Sequence, residues 1–294
     1  MNRALYVLLA CVTVFVAFVV TWALLQKTVD TWYIPPVYRR NRSARPRRRL
    51  RVLTYNIQKF PWSPKSLETL VTLVNDYDVI LLQECFSDTW QSLSEVLPQL
   101  YCFRGTLNRL NMMNSGLAIL SRYPIDSGAF LEFSHANRWT WDIFSEKGWL
   151  SAVINVDGTM IRVLNTHLQS CDFDRFDQMA LIQFDELCAY LSTVYEPFIL
   201  GGDFNIDVRD LQANYRGLGG MSYPKDPTIY IHFGTSLTSA RPRRGYTGMT
   251  LDYFFTSSSL KRVSDPRVVS FLEFSDHQPV EIEMEIVEKQ KRDA

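Results

Sequence analysis

The chain has 294 residues, 47% of them hydrophobic and 13% aromatic, enough to bury the core of one large α/β domain and too apolar for general disorder. Its formal charge of zero conceals a segregation: residues 39–51 hold eight arginines and no acid, whereas in residues 52–294 21 Lys and Arg face 30 Asp and Glu. The folded part is therefore acidic, which disfavours a long nucleic acid as partner, because such affinity leans on Lys and Arg neutralising phosphates.

Residues 4–25 form 22 consecutive positions without a charge, long enough to cross a bilayer core of about 30 Å as a helix. The length predicts a transmembrane anchor over residues 1–27 rather than a signal peptide, whose apolar region is usually about 7–15 residues. Arg3 alone precedes the run, while Lys27, Arg39, Arg40, Arg42 and Arg45 follow it, so the single-pass orientation expected is one with the part after the run in the cytoplasm. A glycosylation sequon at Asn41-Arg42-Ser43 and the processing-like Arg45-Pro46-Arg47-Arg48 point to a luminal or extracellular side instead. Residues 28–49 place Pro35, Pro36 and Pro46 among the arginines and read as an irregular basic tether, either solvated or lying on anionic lipid.

A single folded domain is expected over residues 50–288, followed by a charged tail at 289–294. Within it, Val52–Ile57, Val79–Gln83, Gly116–Ser121, Leu150–Ile154, Ile161–Leu168, Phe198–Gly201, Leu251–Phe255 and Val280–Ile286 read as strands. Ser66–Asn75 and Phe173–Tyr190 carry apolar residues at helical spacing. This pattern predicts two sheets packed face to face and covered by helices. Cys11, Cys85, Cys102, Cys171 and Cys188 include no C-x-x-C pair, and the expectation is reduced thiols rather than a zinc site or disulfide framework.

Polar residues recur where these apolar runs end: Asn56 in Leu53-Thr54-Tyr55-Asn56-Ile57, Glu84 after Leu81-Leu82-Gln83, and His167 in Asn165-Thr166-His167-Leu168-Gln169. Then come Gly201-Gly202-Asp203-Phe204-Asn205, Asp252 in Leu251-Asp252-Tyr253, and Ser275-Asp276-His277-Gln278-Pro279. Each motif alone is commonplace, since a strand-end Asn is usually a turn or cap residue. Six in this order resemble the endonuclease/exonuclease/phosphatase superfamily, deoxyribonuclease I-like, over residues 50–287. The resemblance implies a four-layer α/β sandwich of two packed mixed β-sheets flanked by helices.

The residue types suit cleavage of a phosphodiester, which needs a cation, a nucleophile made from water and help for the departing oxygen. Glu84 and Asn56 offer hard oxygen ligands for Mg²⁺, with Mn²⁺ as a substitute and Asp276 as a further metal candidate. His277 is the candidate general base, oriented by Asp252. The resemblance implies that Asp203 and Asn205 align water and bind the phosphoryl group, and that His167 serves phosphate or leaving group. His135 and His232 match no family motif.

Within the superfamily the chain is most similar to neutral sphingomyelinases, through Thr166-His167-Leu168-Gln169-Ser170 and Lys147-Gly148-Trp149-Leu150. Gly202-Asp203-Phe204-Asn205-Ile206-Asp207 departs from the Gly-Asp-Leu-Asn-Tyr-Arg type segment of inositide phosphatases. Trp139, Trp141, Phe144 and Trp149 are either core or a rim dipping into lipid. The expectation is a sphingomyelinase-like phospholipase C acting on membrane phospholipid. The rivals are a tethered nuclease using Arg241-Pro242-Arg243-Arg244, an inositide phosphatase and a silent scaffold.

Overall fold

The computed structural model describes residues 11–17, 32–34, 48–58, 64–86, 93, 96, 97, 100–105, 114–136, 145–170, 177–211, 229–232, 248–269 and 275–287. Its elements are β1 (Trp32–Ile34), β2 (Arg49–Asn56), α1 (Pro64–Val74), β3 (Val79–Gln83), β4 (Tyr101–Arg104), β5 (Ala118–Ser121), β6 (Ile125–Glu132), β7 (Gly148–Val156) and β8 (Thr159–His167). They continue with α2 (Asp177–Leu191), β9 (Phe198–Asp203), β10 (Ile229–His232), β11 (Asp252–Ser257), β12 (Leu260–Arg262), β13 (Arg267–Val268) and β14 (Val280–Ile286). One sheet has the order β1-β4-β5-β3-β2-β14-β12, with β13 also on β14; the other runs β10-β11-β9-β8-β7-β6. Both are mixed, as expected.

The pleat sorts the side chains into three cores, because successive residues of a strand face opposite ways. Leu50, Val52, Val79, Leu81, Leu150, Ala152, Val163, Ile199 and Phe254 meet between the sheets. Leu53, Tyr55, Ile80 and Leu82, on the outer face of the first sheet, pack with Leu70 and Val74 of α1. Leu164, Leu200, Phe204, Tyr253 and Phe255 do the same on the second sheet with Ala180, Phe184 and Leu187 of α2. Each such side chain, fully buried, contributes roughly 1.5–3 kcal/mol.

One parallel pair sits inside each sheet: β2 with β3 through α1, and β8 with β9 through α2. Parallel neighbours need a crossover of this kind, and they bring two strand C-termini to the same edge. Asn56 and Gln83 are register partners on one sheet, His167 and Asp203 on the other. The antiparallel β11 and β14 begin at that same end, with Asp252 opposite Asp203 and Val280 opposite Thr54. The strand ends that carry the polar motifs therefore converge.

Val79–Gln83 and Val280–Ile286 keep their expected limits and the other expected strands shift, shorten or grow by one to three residues at an end; β1, β4, β6, β10, β12 and β13 are additions. β6 escapes pattern reading because it is largely solvent-facing, from Asp126 to Ala129, and has no apolar alternation. The strand expected from Gly116 starts at Ala118 because Gly116 has a left-handed backbone (φ 66°) and gives its carbonyl to the Cys85 N–H at 2.7 Å. β1 falls inside the segment expected to be a tether and pairs antiparallel with β4. Cys85, Cys102 and Cys188 are buried free thiols, whereas Cys11 is an exposed one and Cys171 lies outside the described residues.

The expected N-terminal transmembrane helix requires correction. The described helical residues there are 11–17. Among the described residues no helix is long and apolar enough to cross a membrane. That finding overturns the expected single-pass membrane location and, with it, the cytoplasmic orientation read from the flanking arginines. Residues 1–10 and 18–27 lie outside the described residues.

Gly202 shows how tightly the parallel pair at the site is drawn together. A Cβ there would stand 2.2 Å from the Thr166 carbonyl oxygen, a backbone atom with nowhere to move. Gly202→Ala should lower stability by about 1–3 kcal/mol, the usual cost of overpacking, in urea unfolding. Wild-type stability would show that β8 and β9 can part freely at this point.

Candidate active site

Asp203 ends β9 on its inward face and is almost completely buried. Its Oδ2 accepts a hydrogen bond from Asn56 Nδ2 at 2.9 Å, and its Oδ1 accepts one from the Asn205 N–H at 2.9 Å. His277 Nε2 and His167 Nε2 lie 3.5 and 3.6 Å from Oδ2. Burial alone would raise the Asp203 pKa, but the two histidines, Asn56 and the Asn205 N–H outweigh it and hold the carboxyl below its ordinary range.

Asn56 links this carboxylate to a second one. The same Nδ2 donates to Glu84 Oε1 at 3.0 Å, and Asn56 Oδ1 accepts from the Gln58 N–H at 3.0 Å. Gln58, Glu84 and Asn205 all adopt left-handed backbone conformations, with φ of 36°, 55° and 49°. Each such residue costs of order 1–3 kcal/mol unless its surroundings enforce it, and such strain gathers at functional sites. Only one other non-glycine residue among those described shares it, Asp157, in the Asp157-Gly158 turn between β7 and β8.

His277 is presented by the turn before β14. Ser275 Oγ donates to the Asn56 carbonyl at 2.7 Å and accepts from the His277 N–H at 3.1 Å, while the Asp276 N–H donates to Gln58 Oε1 at 3.2 Å. His277 Nδ1 donates to Asp252 Oδ2 at 2.8 Å. Burial would lower the imidazole pKa, but Asp252, Asp203 and Asp276 push it up to about 10. The free protein thus holds His277 as an imidazolium at neutral pH, clasped by carboxylates.

All eight residues expected at the site gather at this end of the sheets. Asn205 Nδ2 adds a bond to the Leu168 carbonyl at 3.0 Å, and buried Lys147 donates to the same oxygen at 3.3 Å. Gln58 and Ser275 were not singled out from sequence; Ser275 stood inside a recognised motif, while Gln58 immediately follows one. Trp149 is core: it packs on Phe133 and Tyr190 with ring centroids 5.1 and 5.2 Å apart. His135 pairs with Glu186 at 2.6 Å on the surface. Trp139, Trp141, Phe144 and Arg241–Arg244 lie outside the described residues.

The donor set fits a divalent cation. Asp203, Asp252 and His277 bring ligand atoms within 4.8 Å of one another, the one such group among the described residues. Within it Asp252 is committed to the imidazole, so the oxygens best suited to a hard ion are those gathered around the Asn56 amide, from Glu84 and Asp203.

A family model described as the endonuclease/exonuclease/phosphatase family matches residues 53–277. The chain belongs to that family. Its members are hydrolases acting on phosphodiester bonds. No curated protein matches the chain. Among solved structures it resembles sphingomyelinase C from Streptomyces griseocarneus, at 22% identity and a TM-score of 0.58, over 80% of this chain and 99% of that one. D. rerio TDP2 in complex with a single-stranded DNA product is 15% identical with a TM-score of 0.64, over 80% and 98%. A beta toxin variant from Staphylococcus aureus with bound magnesium ions is 18% identical with a TM-score of 0.61, over 81% and 99%. At these identities the likeness speaks to the endonuclease/exonuclease/phosphatase fold alone.

The charge state of His277 has a consequence for stability. A folded pKa near 10, above the ordinary value of 6.5, stabilises the fold fully below about pH 6.5 and ceases to do so as pH rises through about 10. In EDTA, the excess in Tm of the wild type over His277→Gln should shrink steadily between pH 7 and 10. A constant excess would mean that the imidazole is neutral in the folded protein.

Proposed function

We propose that this protein is a Mg²⁺-dependent phosphodiesterase, a sphingomyelinase-like phospholipase C that hydrolyses sphingomyelin or a related phospholipid with an activated water. The observation that carries the reading is the meeting, at one end of two sheets, of a carboxylate-oriented histidine with an amide that bridges two further carboxylates. A lipid headgroup is favoured over nucleic acid by the acidic balance of residues 52–294 and by the resemblance of Lys147-Gly148-Trp149-Leu150 to a segment of neutral sphingomyelinases. The resemblance in fold to a sphingomyelinase C is consistent with this choice.

Glu84 and Asp203 would hold the cation, and Asn56 would join them only through Oδ1, with its amide turned from the orientation in which Nδ2 donates to both carboxylates; Asp276, on the turn that carries His277, is the further candidate. Such an ion supplies Lewis acidity and positive charge for a phosphoryl oxygen. His277 keeps the proton of Nδ1 on Asp252, leaving Nε2, which faces Asp203, as the end that takes a proton from water. It can turn over as a base only when positive charge offsets part of the carboxylate field that holds its imidazolium. Water oxygen bonds to phosphorus as the bond from phosphorus to the lipid oxygen breaks. His167, whose Nε2 also faces Asp203 Oδ2, would hydrogen-bond the phosphate or give a proton to the departing alkoxide, and Asn205 would orient the phosphoryl group.

His277→Ala should keep the fold and lose at least about 10²-fold in kcat, the usual scale of general-base catalysis. Asp252→Asn should fall in the same direction, and the double variant should be little slower than the worse single one, since both disable one unit. A parallel assay on sphingomyelin, phosphatidylcholine, inositide and plasmid DNA, with Mg²⁺ and with EDTA, tests the substrate class. Turnover in EDTA would remove the metal from the reading, and preference for DNA would replace the lipid by a nuclease substrate.

A further inference from the structure

The apolar series between the sheets turns polar one step before the site. On β2, β3 and β8 the inward-facing residues run Leu50-Val52-Thr54-Asn56, Val79-Leu81-Gln83 and Ile161-Val163-Asn165-His167. Gln83 and Asn165 are both 0% exposed and meet across the gap. Gln83 Nε2 donates to Asn165 Oδ1 at 2.7 Å and to Thr54 Oγ1 at 3.1 Å. Asn165 Nδ2 donates to the Leu82 and Ala118 carbonyls at 2.8 and 2.9 Å.

These bonds fix which way each amide points. Asn165 spends both hydrogens on carbonyls of the first sheet, so its oxygen must face Gln83, and Gln83 must answer with its nitrogen. Two primary amides in this position cost desolvation that leucines would not incur. What they add is direction: apolar contact resists separation but is non-directional, whereas hydrogen bonds of fixed geometry set the register of one sheet on the other. Gln83 immediately precedes Glu84, and Asn165 lies two residues before His167.

We propose that Gln83 and Asn165 are positioning residues that lock the two sheets in register, holding Glu84 and Asn56 of one sheet against His167 and Asp203 of the other. The inference rests on the hydrolytic reading of the site and not on the identity of the lipid. Neither amide touches the reacting atoms. Both act through the residues that follow them in the chain.

The test compares wild type, Gln83→Leu, Asn165→Leu and the double variant, reading Tm, Mg²⁺ affinity by calorimetry, and kcat on bis(4-nitrophenyl) phosphate below each Tm. Each single variant should bind Mg²⁺ more weakly and lose about 10²-fold in kcat, the scale of a misplacement near 1 Å. The double variant should be no slower than the slower single one, because one link is being cut twice. Exchanging the amides, as Gln83→Asn with Asn165→Gln, should restore part of the rate. Should the leucine variants not fold, Gln83→Met, which leaves the bonds of Asn165 to both carbonyls, carries the same comparison. Variants that lose Tm yet keep wild-type kcat and Mg²⁺ affinity would reduce the pair to core packing and overturn the proposal. An inactive wild type that binds no Mg²⁺ would sink the hydrolytic reading instead, and the positioning role with it.

Discussion

Asp203 is a carboxylate taken almost wholly out of water, and the geometry around it follows from what it takes to keep it charged there. An unpaired buried ion is penalised by several kcal/mol, so its lone pairs must be met by donors and its charge by cations. The donors come from both sheets: Asn56 ends a strand of one, the Asn205 N–H follows a strand of the other, and His277 enters from the turn before β14. The sheets are thereby required to close on one another at this end. In the middle of the strands, apolar side chains fill the space between them.

The same pleat that builds the core also builds the site. Asn56, His167, Asp203 and Asp252 occupy inward-facing positions that continue the series of Val52, Val163, Ile199 and Phe254. The interior is thus apolar in the middle of the strands and charged at their ends, with Thr54, Gln83 and Asn165 as the polar step between. The parallel pairs β2–β3 and β8–β9 are what place four strand ends on one edge, since an antiparallel pair offers only one C-terminus to each edge.

That arrangement explains which features were legible in the sequence. A polar residue closing an apolar run is conspicuous because it breaks a pattern with period two or a continuous buried stretch, and so Asn56, Glu84, His167, Asp203 and Asp252 stood out. Contacts between residues distant along the chain leave no such mark. Nothing in Gln83 or Asn165 alone announces that they are partners 82 positions apart, and Gln58 reaches Asp276 from 218 positions away. β6 was hidden for another reason, its exposure, and β4 by its brevity. The N-terminal expectation rested on length and absence of charge over 22 residues alone, with no packing partner or cap to test it.

Charge also constrains what can enter the site. Asp203, Asp252 and Asp276 surround His277 and raise its pKa, and Asp203 also faces His167. A phosphodiester adds a further negative charge, so positive charge must be supplied locally before it can approach. A nucleic acid adds many, and needs a basic track along its backbone; the acidic surplus of residues 52–294 provides no such average field. A zwitterionic headgroup is the contrasting case. It carries one phosphate and its own cation, and the carboxylate surplus that repels a polyanion does not oppose the approach of a quaternary ammonium.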